Sequence, residues 1–140
     1  GVSGHAGLFG TSNDLAKLMH LYLYDGLYAG EQLIASGVVK EYSKCVYCEE
    51  GNYRGMGFDR QNKPGDPNGN AAASTSEQSF GHSGFTGTYT WIDPENKIVY
   101  VFLSNRVHPT RENRNIYKLN LRTNIMEEVY KAMKKARLNE

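Results

Sequence analysis

The sequence predicts an α+β fold: an antiparallel sheet of about three strands, a C-terminal helix packed on it, and helices ahead of it. Three observations carry that expectation. Residues 88–92 and 98–103 are β-branched and aromatic runs on either side of Asp93-Pro94-Glu95-Asn96-Lys97, the pattern of a hairpin. Thr11-Ser12-Asn13-Asp14 has the form of a capping box ahead of apolar residues at helical spacing. Residues 123–136 repeat that spacing, with a basic end that suits the helix dipole.

Taken in order, the chain opens on Gly1-Val2-Ser3-Gly4-His5-Ala6-Gly7-Leu8-Phe9-Gly10, a flexible stretch rich in glycine. With Thr11 as N-cap, Leu15, Leu18, Met19, Tyr22 and Leu23 define a helix from Ser12 to about Tyr24, ended by Asp25-Gly26. Ser36 reads as the N-cap of a short helix through Val38, Val39 and Tyr42 to about Ser43. Tyr53-Arg54-Gly55-Met56-Gly57-Phe58 reads as a short strand weakened by its glycines. From Asp59 to Ser79 there is no periodicity, so this stretch is expected to be a mobile, weakly ordered loop. The last helix should bury Ile125, Met126, Val129, Tyr130 and Met133, with Glu127 and Glu128 early and Lys131, Lys134, Lys135 and Arg137 late. No internal repeat is visible.

At 140 residues the chain fits one domain, 1–140. Sixteen basic residues against fifteen acidic ones give no support to a nucleic-acid or membrane-surface role. No apolar run approaches the roughly 20 residues that cross a bilayer. The two cysteines, Cys45 and Cys48, form a lone C-x-x-C. A zinc site would need a second ligand pair, and the histidines at 5, 20, 82 and 108 are scattered. A local disulfide or two free thiols are the open readings, so cysteine usage leaves the redox compartment undecided.

The densest signal is Phe80-Gly81-His82-Ser83-Gly84-Phe85-Thr86-Gly87-Thr88, just ahead of the hairpin. So many small residues suit a place where backbone comes close to a strand or a ligand. His82-Ser83-Gly84 before a hairpin ending in Leu103-Ser104-Asn105 resembles the third active-site motif, usually Lys-Thr-Gly, of the serine β-lactamase and penicillin-binding-protein superfamily. It is closest to the class C-like side, with its esterases and D-aminopeptidases, where a His often takes the Lys place. Gly4-His5-Ala6-Gly7-Leu8-Phe9-Gly10-Thr11 through Asp14-Leu15-Ala16 is similar to that group's small-residue loop and following helix. Residues 53–58 are similar to its short glycine-containing strand.

The resemblance implies a partial β-lactamase-like fold and acyl transfer to water from an ester, amide or β-lactam. It implies no cofactor, no metal, a small-molecule or peptide substrate, and a periplasmic or extracytoplasmic location. In such an enzyme a serine attacks a carbonyl while a nearby base takes its proton, and two N–H donors hold the oxyanion. The catalytic wall would be His82, Ser83, Gly84 and Phe85, with the Phe85 N–H as one oxyanion donor. Thr86 and Gly87 would line the substrate edge, and Asn105 and His108 its polar end. A histidine, whose charge changes near neutral pH, favours esters or peptides where a lysine favours a substrate carboxylate. Ser83 and His82 are strand neighbours on opposite faces, so they are not a nucleophile and base for each other.

The family's nucleophile lies in Ser-x-x-Lys and its second motif in Tyr-x-Asn or Ser-x-Asn; neither occurs in these 140 residues. The chain is therefore expected to be the C-terminal part of a larger hydrolase, inactive without the N-terminal part of the same domain. The strand from Ile98 to Leu103 would then keep an open edge and pair with a second copy, which light scattering would detect as a dimer. Plainer readings stand beside these. Asn105 and His108 suit a solvated loop, His5 a glycine turn, His20 a helix surface, and Trp91 with the tyrosines core packing. A binding or scaffold module that kept the fold without the chemistry is the alternative function, and a zinc-binding domain around Cys45 and Cys48 the third.

Overall fold

In the computed structural model, which describes residues 3–138, the elements run in the order of the predicted helix–sheet–helix arrangement. Gly1 and Val2 of the glycine-rich start lie outside the described residues. Helix α1 spans Ser12–Leu23. Thr11 Oγ1 accepts from the Asp14 N–H at 3.2 Å, and Asp14 accepts from the Thr11 N–H at 3.0 Å, so the capping box is complete. Strands β1 (Leu27–Tyr28) and β2 (Glu31–Gln32) form a small separate ribbon.

Helix α2 (Val38–Ser43) is capped by Gly37 in a left-handed conformation, one residue later than expected. The Ser36 hydroxyl is used elsewhere, donating to the Asp25 carboxylate at 2.9 Å. The strand expected at residues 53–58 does not form. Gly55 packs too close to the backbone of α2 for any side chain, with a Cβ falling 2.6 Å from the Tyr42 oxygen. Met56 N–H donates to that same oxygen at 2.7 Å, and Gly57 turns the chain at φ +110°. The strand comes just afterwards, as β3 (Asp59–Arg60).

Strands β4 (Phe80–Ser83), β5 (Tyr89–Asp93) and β6 (Ile98–Phe102) complete an antiparallel sheet in the order β3-β4-β5-β6. It has four strands where about three were expected. Alternation assigns its two faces. Tyr89, Trp91, Ile98 and Tyr100 pack with Met126 and Tyr130, whereas Phe80 and Ile92 pack with Met19 and Val39. The sheet is thus covered by α4 (Leu121–Arg137) on one side and α1 on the other. That explains why every residue of β5 is buried. The far side of β6 has no strand partner among the described residues.

Residues 59–79, expected to be weakly ordered, are held by long-range contacts. Asn62 and Asn70 exchange backbone-to-side-chain bonds at 3.0 Å each, and Ala71 and Ala72 are buried in the core. Ser74 donates its N–H and hydroxyl to Glu127 at 2.9 and 2.7 Å. Ser76 makes the same pair of bonds to Asp93 at 2.9 and 2.6 Å. Composition hid this, because the partners lie 8 to 53 residues away.

The last helix also departs from expectation. It begins at Leu121, preceded by the short α3 (Asn115–Lys118), so Glu127 falls in its middle and its first turn carries no acidic residue. Met126 and Tyr130 are buried as predicted, Met133 partly so, with Thr123 beside them. Ile125 and Val129 are instead exposed at 43% and 38%, and form an apolar stripe with Leu121. No helix among the described residues is long and apolar enough to cross a membrane.

Candidate active-site edge

Strand β3 covers β4 only at Phe80 and Gly81, so the same edge from His82 onward is open. Gly81 has no room for a side chain: a Cβ would sit 2.1 Å from the Thr90 oxygen and 2.4 Å from Trp91 Cε3. Opposite it, Trp91 fills the α4 face. The register pairs His82 with Thr90 and Ser83 with Tyr89, which puts the two side chains on opposite faces as expected.

His82 is exposed, and its Nδ1 lies 3.1 Å from Asp59 Oδ2; Asp59 also takes Arg54 Nε at 3.4 Å. The carboxylate favours the tautomer with its proton on Nδ1, leaving Nε2 free at the open edge. Ser83 is exposed on the other side of the strand.

Beyond Ser83 the chain turns sharply. The Gly84 N–H donates to the Thr88 oxygen at 2.8 Å, and the Gly87 N–H to the Gly84 oxygen at 3.0 Å, with Gly87 at φ +93°. Gly87 is buried against Ser104 and Ile116, so it shapes the turn from inside. The Phe85 ring is 69% exposed, and its N–H has no acceptor among the described residues. Its carbonyl is held from behind by Arg106 Nε at 2.8 Å. Thr86 is half-buried, and its carbonyl accepts from the Arg106 N–H at 2.9 Å and the Ser104 hydroxyl at 3.2 Å.

Arg106 is the feature that residue-by-residue reading passed over. It is only 8% exposed, although arginines are seldom buried unpaired. Its guanidinium lies over the Phe85 and Tyr117 rings at 4.6 and 5.1 Å. Its Nη1 donates to the carbonyls of Arg111 and Asn113 at 2.8 and 3.0 Å. One side chain thus ties the turn after β4 to the loop after β6 and to α3. The only sequence signal was its place directly after Leu103-Ser104-Asn105. Asp59 had no signal at all, standing at the start of what read as a loop.

Asn105 and His108 are both exposed in that second loop, joined by a His108 N–H to Asn105 carbonyl bond of 3.4 Å. The structure therefore brings residues 82–86 and Asn105 to neighbouring turns, and leaves His108 at the surface. His5 lies in an exposed tail beside Ser3, whose hydroxyl donates to its carbonyl at 2.6 Å. His20 stacks on Tyr24 at 4.5 Å between ring centroids. Cys45 and Cys48 form a disulfide, which takes up the thiolates that a zinc site would need.

A two-layered edge of this kind, with a glycine-rich turn after the motif strand and helices on both sheet faces, fits the superfamily that His82-Ser83-Gly84 suggested. Residues 1–124 match the family model described as Beta-lactamase, and the chain belongs to that family. The curated proteins it resembles include two from Escherichia coli, O157:H7 and strain K12. Each is named "Putative D-alanyl-D-alanine carboxypeptidase" and is 40% identical over 114 residues. A protein of the same name from Salmonella enteritidis PT4 (strain P125109) is 38% identical over the same length. These alignments cover 77% of this chain and 24% of each relative, so the chain spans about a quarter of their length. No solved structure matches it.

Proposed function

We propose that this chain is the C-terminal part of a serine hydrolase in which the β4 edge forms one wall of an acyl-transfer site. The nucleophile would come from another segment of the same domain, and the chain alone would be inactive. One observation carries the reading: a strand edge left open from His82 onward runs into a turn whose Phe85 N–H has no acceptor among the described residues while its carbonyl is held by Arg106. That arrangement suits a preorganised oxyanion donor, because a donor fixed before reaction needs no reorganisation when charge develops. His82, oriented by Asp59, would exchange a proton or a hydrogen bond with the substrate through Nε2. Ser83 and Gly84 continue this wall, with Thr86, Asn105 and His108 on the substrate side and the buried Gly87 shaping the turn from inside.

Given the names of the relatives, the substrate class we favour is a peptide ending in D-alanine, with simple esters as surrogates. The location would be extracytoplasmic, which the Cys45–Cys48 disulfide supports, since such bonds persist in oxidising compartments. Fractionation that left the protein in the cytoplasm would overturn that location. The open side of β6 would be covered by a strand from the rest of the domain, or in its absence by a second copy.

In the full-length protein, His82→Ala should slow hydrolysis of a p-nitrophenyl ester at least roughly tenfold, about 1.4 kcal/mol of transition-state stabilisation. An unchanged kcat/KM would remove His82 from the reaction. A fluorophosphonate probe separates this reading from a non-catalytic scaffold: the full-length protein should label, and this chain by itself should not.

A further inference from the structure

A cavity of about 120 Å³ lies under α4, on the face of the sheet opposite His82. Ser83, Tyr89, Trp91, Tyr117 and Arg122 are on its wall. Two donors there have no acceptor among the described residues: the Trp91 indole Nε1–H and Arg122 Nη1, both buried. Trp91 itself is 1% exposed. The Arg122 guanidinium is held over the Tyr89 and Tyr117 rings at 5.2 and 4.9 Å, and makes no ion pair among the described residues. The acidic group on the same wall, Asp59, is already engaged by Arg54 and His82.

Two buried donors and an uncompensated cation therefore converge on one small space. Water would serve both donors but leave the half-buried guanidinium without a counter-charge. A carboxylate serves both, because its two oxygens match the guanidinium fork and can accept from the indole as well. A cavity of this size takes an ion of formate or acetate size with water beside it.

We propose that this cavity is a binding site for a small carboxylate, held by Arg122 and the Trp91 indole behind the motif strand. The site does not rest on the hydrolase reading, since its two donors, Trp91 and Arg122, take no part in that reading, although Ser83 and Asp59 border both places. Its occupant would lie beside Ser83, so binding would be felt along β4.

Trp91 is the only tryptophan of the 140 residues, so its indole resonance reports on this site alone. The experiment is a titration of the ¹⁵N-labelled protein with sodium formate, against sodium chloride at matched ionic strength, following the Trp91 Nε1–H signal. In a longer chain Trp91→Phe assigns that signal. The expected result is a saturable shift with formate and none with chloride, weakened at least tenfold in Arg122→Met and less in Arg122→Lys. A shift that is linear, or equal for the two salts, overturns the proposal. So does a formate response that survives in Arg122→Met. Should that variant fail to fold, the formate-against-chloride comparison in the parent still decides.

Discussion

Asp93→Ala is expected to destabilise the fold by about 3–5 kcal/mol, because it leaves several buried donors without an acceptor at once. Asp93 is fully buried at the end of β5. Its carboxylate accepts from the Tyr130 hydroxyl at 2.6 Å, the Ser76 N–H and hydroxyl at 2.9 and 2.6 Å, and the Asn96 N–H and amide at 3.1 and 2.9 Å. One side chain thereby joins the hairpin turn, the 59–79 segment and α4. Burial by itself would raise its carboxyl, but the bonds from Ser76, Tyr130 and Asn96 outweigh it and hold it below the ordinary range. Tyr130 moves the opposite way, pushed far above the phenol range by burial and then by this carboxylate. Since the folded form holds Asp93 below its unfolded value of about 3.9, its contribution is fully present above that pH. It is lost as pH falls further, through the folded value. Urea unfolding at pH 7 measures the first effect. The same measurement repeated as the pH is lowered below about 4 should find the gap between the parent and Asp93→Ala narrowing. A difference under about 1 kcal/mol at pH 7 would show that the network is not a tether.

Gly81→Val should cost about 3 kcal/mol, the upper end for overpacking, and should take the candidate site with it. The atoms a Cβ would meet are the Thr90 oxygen and the Trp91 ring and Cα, so backbone would have to move. Separating β4 from β5 displaces His82 and the turn that presents Phe85. Gly84→Ala offers the contrast, since its Cβ meets the Thr88 hydroxyl, a side-chain atom that can rotate away. Thermal denaturation of both variants, with fluorophosphonate labelling of the full-length protein, should rank Gly81→Val far below Gly84→Ala in both readouts. Equal effects would mean that the tight packing under β4 does not govern the edge.

The parts of this protein readable from sequence were those whose causes are local. The capping box at Thr11 and Asp14, the α1 register and the hairpin of β5 and β6 depend on residues within a turn or two of each other, and periodicity reports them directly. His82-Ser83-Gly84 was visible as a motif, and its alternation already separated His82 from Ser83. Tertiary structure alone decided the rest. Gly55 could not stay in a strand, because α2 crosses too close to its backbone. Ile125 and Val129 have the spacing of buried residues but face away from the sheet, since only the Met126–Tyr130 side of α4 meets Trp91. The partner of His82 is 23 residues away, and Arg106 holds the Phe85 carbonyl from 21 residues away. Side-chain pattern determined α1, the core of α4 and the β5–β6 hairpin; the fate of residues 53–58 and the pairings that shape the edge came from chain crossings, on which local pattern carries no information.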